Sequence, residues 1–214
     1  MLLNPIIYSP KHQDESFQEI IQKTIQFFET KGLQKVKDDD TNQVWYADFL
    51  DFIKKEKIFA TLLTPPAHGK DNYRWDTWRI AHFNEILGFY GLAYWYTWQV
   101  SILGLGPIWM SENEALKQRA ARLLEEGEVF AFGLSEKDHG ADIYSTEMSL
   151  SPQETGQYLA NGSKYYIGNG NIAKMVSTFG KMSDSGDYVV FVANYQHEKY
   201  NCVKNVVNSQ SYVA

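Results

Sequence analysis

The chain has 214 residues, 44% of them hydrophobic, which is enough for one large domain or two small ones and far from the composition of a disordered segment. Its formal net charge is -6 and its 20 basic residues are scattered, so it lacks the basic stripe that binds nucleic acid. A single cysteine, Cys202, excludes an internal disulfide, and the five histidines lie too far apart for a zinc-ligand pattern. We therefore expect a cytoplasmic protein without a metal and without a nucleic-acid partner.

The first 126 residues carry the pattern of helices. A polar connector is expected at 36–43, the sequence GLGP at 104–107 is expected to stop a helix, and Ser111 and Gly127 fit the N-cap and the stop of the last helix. Apolar residues at helical spacing predict helices over 14–31, over 45–63, over 75–103 with a break near Gly88 or Gly91, and over 112–126.

An uncharged run from Ile86 to Ser111 is long enough to cross a bilayer. Four glycines, a proline and several tyrosine hydroxyls interrupt it, which favours a helix buried in the protein. We expect no stable membrane span.

Beyond Gly127 the pattern changes to short runs rich in Val, Phe, Tyr and Ile. The dipeptide Asn161-Gly162 is a strong signal for a two-residue hairpin, because both turn positions need positive φ. The predicted class is α+β and multidomain, with an all-helical domain over 1–126 and an antiparallel, β-barrel-like domain over 127–214. Strands are predicted over 127–135, 143–150, 156–160, 163–169, 173–182 and 187–194.

Two short patterns match known functional motifs but lack the neighbouring structure or residues that those motifs require. The sequence GNGNIA at 168–173 fits the dinucleotide pattern G-x-G-x-x-A, but no crossover helix is predicted after it. His139 beside Asp138 suggests a base with its orienting carboxylate, yet adjacent side chains usually point apart and no nucleophile is placed nearby. A solvated loop histidine is the favoured interpretation. Cys202 is expected to be structural or merely exposed.

Two further segments carry a family resemblance. The sequence LSEKDHGAD at 134–142 is similar to a Thr-Glu-Pro-x-Ala-Gly-Ser-Asp signature, and NGSKYYIGNG at 161–170 to an Asn-Gly-x-Lys-x-Trp-Ile-Thr-Asn-Gly signature. Their order, their separation and the helical region before them resemble the acyl-CoA dehydrogenases. The resemblance is close over 128–194 and loose over the helical half.

The resemblance implies FAD as cofactor and an acyl-CoA as substrate. It places the hydroxyl and backbone of Ser135 at the pyrimidine end of the flavin, because negative charge gathers there when the flavin accepts hydride. Gly140 is expected to let FAD and acyl-CoA approach the backbone closely. The implied cofactor-binding residues are Phe132, Leu134, Ser135, Gly140, Ala141, Tyr166, Ile167 and Gly168, with Tyr166 in the place of a tryptophan that packs on the ring.

Three positions depart from the family pattern. Ala141 replaces a serine that contacts acyl-CoA, which limits this predicted substrate contact to backbone, and Gly168 replaces a threonine whose hydroxyl meets the flavin. Lys137 replaces the proline of the signature. These departures suggest a divergent subfamily or a shifted cofactor.

The family's catalytic glutamate comes from a C-terminal helical domain, so no residue here is assigned as the base, and Glu136 is interpreted as structural. We expect a truncated chain, poorly stable and inactive alone, whose full-length form is a homo-oligomer of fatty acid β-oxidation. That form would convert acyl-CoA to 2,3-enoyl-CoA and pass electrons to an electron-transferring flavoprotein. The alternatives are an acyl-CoA oxidase or flavin monooxygenase on the same scaffold, or a non-catalytic remnant that binds a partner or lipid.

Overall fold

The computed structural model describes residues 4–6 and 14–194. These residues form two compact units. One comprises the described residues up to Gln99 together with Asn113–Glu128, and the other comprises Val100–Glu112 and the described residues from Val129 onward. Residues 100–112, which the sequence assigned to the helical domain, thus group with the strands, and the boundary at 126/127 stays a prediction. Cys202, named above, lies outside the described residues.

Helices make up the first unit and extend into the second. They begin and end where local signals place them: Asp14 caps the first helix by accepting from the Phe17 N–H, and Gly91 separates the fifth from the sixth. The helices are α1 Glu15–Lys31, α2 Leu33–Thr41, α3 Ala47–Lys55, α4 Ile58–Leu63, α5 Thr77–Tyr90, α6 Leu92–Met110 and α7 Glu114–Glu125.

The core of the helical unit is aromatic. Phe28 stacks on Tyr90 with ring centroids 4.5 Å apart and meets Tyr94 edge to face at 4.9 Å. Phe49 of α3 packs on Tyr94 at 5.0 Å, and the ring of Trp98 is fully buried against Phe83 at 4.8 Å. Each such pair adds about 0.5–1.5 kcal/mol beyond its apolar burial, so the helices that these rings join are held firmly together.

Four helical predictions were wrong in detail. The expected polar connector at 36–43 is largely part of α2, and the helix predicted over 45–63 is broken where Lys57 adopts a left-handed φ of 55°. The sequence GLGP does not stop α6, which continues to Met110 with Pro107 inside it. Asn113, rather than Ser111, caps α7 by accepting from the Leu116 N–H, while Ser111 donates its hydroxyl to Ile108 O at the end of α6.

The second unit contains one five-stranded mixed sheet. The longest strand, β4, pairs in parallel with β1 along its first half and with β2 at its end, while β5 runs antiparallel along its other edge. An antiparallel hairpin joins β2 to β3. The strands are β1 Phe130–Gly133, β2 Ser149–Pro152, β3 Tyr158–Asn161, β4 Met175–Met182 and β5 Tyr188–Asn194.

The predicted α+β class is confirmed, but three β-sheet predictions were wrong. The sheet is not purely antiparallel, and 163–169 forms turns instead of a strand. The β2–β3 hairpin turns at Gly156, which has a φ of 75°, and not at Asn161-Gly162. Gly162 is needed for a close approach, since a Cβ there would lie 2.8 Å from the Met148 Cα.

The C-terminal half of α6 packs directly on β1. A Cβ at Gly104 would lie 2.6 Å from Ala131 O, so only glycine permits this approach. Ser177 Oγ on β4 donates to Gly104 O at 2.5 Å, and the Phe130 N–H donates to Ser101 Oγ at 3.3 Å. These contacts explain why the helix continues through GLGP.

Within residues 4–6 and 14–194, no helix combines the length and apolar character needed to cross a membrane.

Candidate functional site

The two sequence motifs lie side by side in the second unit. Ser135, just after β1, donates its hydroxyl to Tyr165 O at 2.6 Å, and the Tyr165 N–H donates back to Ser135 O at 2.8 Å. The pair joins 134–142 to 161–170 although 30 residues separate its members. The fold therefore brings together the segments that carry the predicted cofactor residues.

Lys164 connects the same two segments through its side chain. Its Nζ donates to Leu134 O at 2.9 Å, to Glu136 Oε1 at 2.7 Å and to Thr146 Oγ1 at 3.2 Å, and the side chain is 8% exposed. Lysine is strongly hydrated in water, so a lysine buried this far must be fully paired. Lys164 was not predicted as a site residue, although the motif quoted above also has a lysine at this position.

Glu136 fixes the start of the following loop. Its carboxylate accepts from Lys164, from Thr146 Oγ1 at 2.5 Å and from the N–H groups of Glu147 and Met148 at 2.8 and 3.2 Å. Burial alone would raise the pKa of Glu136, but the hydrogen bonds from Lys164, Thr146 and Glu147 outweigh it and lower the pKa to about 2. A carboxylate so stabilised is structural, as the sequence suggested, and is a poor proton acceptor.

The loop between these anchors is open to solvent. Gly140, Ala141 and Asp142 are all exposed, and a Cβ at Gly140 would meet no atom within 4 Å. The chain itself therefore does not require glycine at position 140. His139 pairs with Asp142, its Nδ1 lying 2.8 Å from Oδ2, and not with the adjacent Asp138 considered from the sequence.

The outer edge of β1 has no strand partner among residues 4–6 and 14–194, where β1 pairs only with β4. Both backbone groups of Phe130 at that edge are hydrogen-bonded: the N–H donates to Ser101 Oγ, and the C=O accepts from Asn169 Nδ2 at 2.9 Å. Backbone groups of alternate residues in a strand point to the same edge, so the N–H and C=O of Phe132 also point there.

The segment 166–170 is a compact turn beside this edge. Tyr166 and Asn169 both adopt left-handed conformations, with φ of 56° and 57°, and the Gly170 N–H donates to Ile167 O at 3.1 Å. Gly168 is buried, and the ring of Tyr166 is 70% exposed at 4.4 Å from the Tyr165 ring. An exposed aromatic ring of this kind could stack on a planar ligand.

The structure thus divides the predicted residues into two groups. Six lie on β1, directly after it, or on the turn 166–170: Phe132, Leu134, Ser135, Tyr166, Ile167 and Gly168. Gly140 and Ala141 lie on the exposed loop that Glu136 anchors. Whether any of the eight binds a cofactor stays a prediction. Asn169, which fastens the second motif to β1, was missed because its importance depends on Phe130, 39 residues away.

One polar pocket of about 450 Å³ lies where β4 ends and β2 begins, beside the Thr146–Met148 segment that Glu136 holds. It is open, and it is lined by 146–149 before and in β2 and by 181–186 between β4 and β5. None of the predicted site residues lines it.

No group of three or more His, Cys, Asp or Glu side chains in the described part of the chain could hold a metal ion.

Comparisons with known proteins show which proteins this chain is similar to in sequence. No family model matches the chain. The short-chain specific acyl-CoA dehydrogenase of Megasphaera elsdenii is 36% identical over 74 residues, which are 34% of this chain and 19% of that protein. The mitochondrial very long-chain specific acyl-CoA dehydrogenase of Macaca fascicularis is 27% identical over 174 residues, which are 80% of this chain and 26% of that protein.

Solved structures agree on the fold. Butyryl-CoA dehydrogenase from Megasphaera elsdenii matches with a TM-score of 0.74 at 22% identity, covering 87% of this chain and 50% of that chain. A FAD complex of PigA matches with a TM-score of 0.73 at 19% identity, covering 93% of this chain and 53% of that chain. This chain therefore spans about half of the solved proteins and less of the curated relatives.

The fold is that of the N-terminal helical and middle β domains of the acyl-CoA dehydrogenases. The resemblance inferred from the two motifs is thereby confirmed.

Proposed function

We propose that the outer edge of β1 and the turn 166–170 form one wall of a FAD site in an enzyme that oxidises acyl-CoA thioesters. The observation that carries the proposal is the direct joining of the two motifs by Ser135 and Tyr165. Proteins with this fold include a FAD complex and acyl-CoA dehydrogenases, which supports the same cofactor and substrate class here.

The residues present fit a flavin at this wall. The Phe132 N–H can donate to a carbonyl oxygen of the pyrimidine ring, where charge gathers on reduction. The Ser135 hydroxyl donates its proton to Tyr165 O, so its Oγ would serve as an acceptor, which suits the N3–H of a flavin. Tyr166, exposed beside them, offers a face to stack on the ring system.

FAD would supply the hydride acceptor for loss of hydrogen from the α and β carbons of the thioester, giving the 2,3-enoyl product. Residues of this chain would orient the flavin, with Lys164 and Glu136 holding the wall rigid. Glu136 does not suit the role of base, because its carboxylate accepts four hydrogen bonds and its pKa lies near 2. The base is expected outside these residues, with an electron-transferring flavoprotein as acceptor.

The test uses the protein at its full natural length, purified with ample FAD. We expect a bound flavin spectrum and anaerobic bleaching by acyl-CoAs of some chain length. Tyr166→Ala should weaken FAD binding by about two- to tenfold, the worth of one aromatic contact. Tyr158→Ala is the matched control, because Tyr158 is a similarly exposed tyrosine on β3, away from the wall. A protein that stays colourless with excess FAD would refute the proposal.

Two alternatives give different outcomes in the same preparation. An acyl-CoA oxidase or flavin monooxygenase on this scaffold would use the same wall but would react rapidly with oxygen once reduced. A dehydrogenase should reoxidise slowly in air and quickly with an electron-transferring flavoprotein. A non-catalytic remnant would bind no flavin at all.

A further inference from the structure

The loop 137–147 contains a charge cluster that the flavin wall does not use. His139 lies between two carboxylates on the same loop, with Nδ1 2.8 Å from Asp142 Oδ2 and Nε2 3.9 Å from Glu147 Oε1. Asp142 uses its other oxygen to accept from the Gly140 N–H at 3.1 Å. One imidazole thus connects the backbone of Gly140, through Asp142, with the far end of the loop.

The ends of the loop are already fixed, which makes the middle the part that can respond. The Glu136 N–H donates to His139 O at 2.9 Å, and the Glu136 carboxylate accepts from the N–H groups of Glu147 and Met148. Between these anchors the side-chain contacts described above, together with the short 3-10 helix Ile143–Ser145, hold Gly140 and Ala141.

We propose that His139 is a positioning residue: seated between Asp142 and Glu147, it orders the Gly140–Ala141 segment and makes that order depend on pH. The charged groups that face the imidazole are Asp142, Glu147 and, farther away, Glu136. The negative charge of Glu136 is compensated by its ion pair with Lys164. Asp138 and Lys137 are its chain neighbours. Only the doubly protonated imidazolium can both donate to Asp142 and carry the positive charge that attracts Glu147.

The sign of the pH effect follows from the geometry. The hydrogen bond to Asp142, aided by the charge of Glu147, raises the pKa of His139 above its ordinary 6.5. A raised pKa means that the stabilisation is fully present below about 6.5 and is lost as pH rises through the higher folded value. The loop should therefore be ordered in mildly acidic to neutral solution and looser in alkaline solution.

The consequence for a ligand rests on the proposed function. If FAD or acyl-CoA contacts the exposed backbone at Gly140 and Ala141, loosening the loop adds an ordering cost to binding. Ligand affinity at this wall should then fall with the same pH midpoint as the loop order.

The test follows the Gly140 amide by nuclear magnetic resonance in the full chain, and needs no flavin. In the wild type its chemical shift should titrate with a midpoint above 6.5, and its hydrogen-exchange protection, corrected for the intrinsic rate, should fall about two- to fivefold across that midpoint. His139→Gln should abolish the titration and give low protection throughout. His139→Arg, which keeps the positive charge, should retain protection at high pH.

Two carboxylate variants complete the design. Glu147→Gln should lower the midpoint, because it removes one of the two anions, whereas Glu154→Gln on the exposed β2–β3 turn should leave it unchanged. A Gly140 amide that ignores pH, or one that titrates alike in the wild type and in His139→Gln, would overturn the proposal. Colourless protein with a normal titration would instead count against the flavin site alone.

Discussion

Ser135 and Tyr165 exchange two hydrogen bonds, from hydroxyl to carbonyl at 2.6 Å and from amide to carbonyl at 2.8 Å. The exchange holds the start of the first motif and the middle of the second motif together as a single rigid piece. A flavin wall needs such rigidity, because donors and acceptors that are already in place cost no reorganisation when charge develops.

The hydroxyl half of this exchange can be removed without changing the backbone. Ser135→Ala deletes the donor to Tyr165 O, and we expect a loss of about 1 kcal/mol in the free energy of unfolding, the usual net value of one hydrogen bond. Ser163→Ala, at an exposed serine of the same segment, is the control and should change little. Urea denaturation measures both. Equal effects of the two substitutions would show that the Ser135 hydroxyl adds no stability.

Lys164 should be among the most sensitive residues of the β unit. Lys164→Met leaves the buried carboxylate of Glu136 without its cation, and removing one partner of a buried pair costs about 3–5 kcal/mol. Lys137→Met, at the exposed lysine directly after Glu136, is the matched control. The double variant Lys164→Met/Glu136→Gln should be less destabilised than the sum of the single variants. Simple additivity in chemical denaturation would contradict the pairing.

Acid stability tests the same pair by another route. The pKa of Glu136 is lowered from 4.5 to about 2, so its contribution is fully present above 4.5 and is lost as pH falls from 4.5 through 2. The loss amounts to about 3 kcal/mol when complete. The free energy of unfolding measured from pH 6 down to pH 3 should therefore fall more steeply in the wild type than in Glu136→Gln. Glu154→Gln, at an exposed turn, should follow the wild type.

Much of this fold was predictable because many of its signals are local. Gly32 ends α1, Gly91 separates α5 from α6, and the first strand begins at Phe130, close to the predicted change from helical to strand patterns at Gly127. Each of these features depends on the conformation of one residue or on a period of a few residues.

The failures have a shared physical cause, which is tertiary contact. The sequence GLGP looked like a helix stop, but Gly104 serves the packing of α6 on Ala131, and burial there outweighs the poor helix propensity. Asn161-Gly162 looked like a hairpin turn, but Gly162 makes room for Met148. In the site, the two motifs were visible in the sequence, whereas the roles of Lys164 and Asn169 depend on residues about 30 or more positions away.

Asn169 combines a backbone role with a side-chain role that two substitutions can separate. Both Asn169→Gly and Asn169→Ala lose the hydrogen bond to Phe130 O. Glycine tolerates the left-handed φ of 57°, whereas alanine pays about 1 kcal/mol or more for it. We therefore expect the alanine variant to unfold at a lower denaturant concentration than the glycine variant. The reverse order would mean that the turn does not keep its left-handed residue.

Two glycines of α6, two positions apart, should respond in opposite ways to alanine. A Cβ at Gly104 would lie 2.6 Å from Ala131 O, a backbone atom that cannot move aside, so Gly104→Ala must push the helix away from β1. A Cβ at Gly106 would meet nothing within 4 Å, so Gly106→Ala should gain the helix propensity of alanine, up to about 1 kcal/mol. Thermal and urea unfolding of the two variants should therefore shift the midpoint down for position 104 and up for position 106. Equal shifts of either sign would contradict the close packing of α6 on β1, which helps position the outer edge of that strand through Ser101 and Phe130.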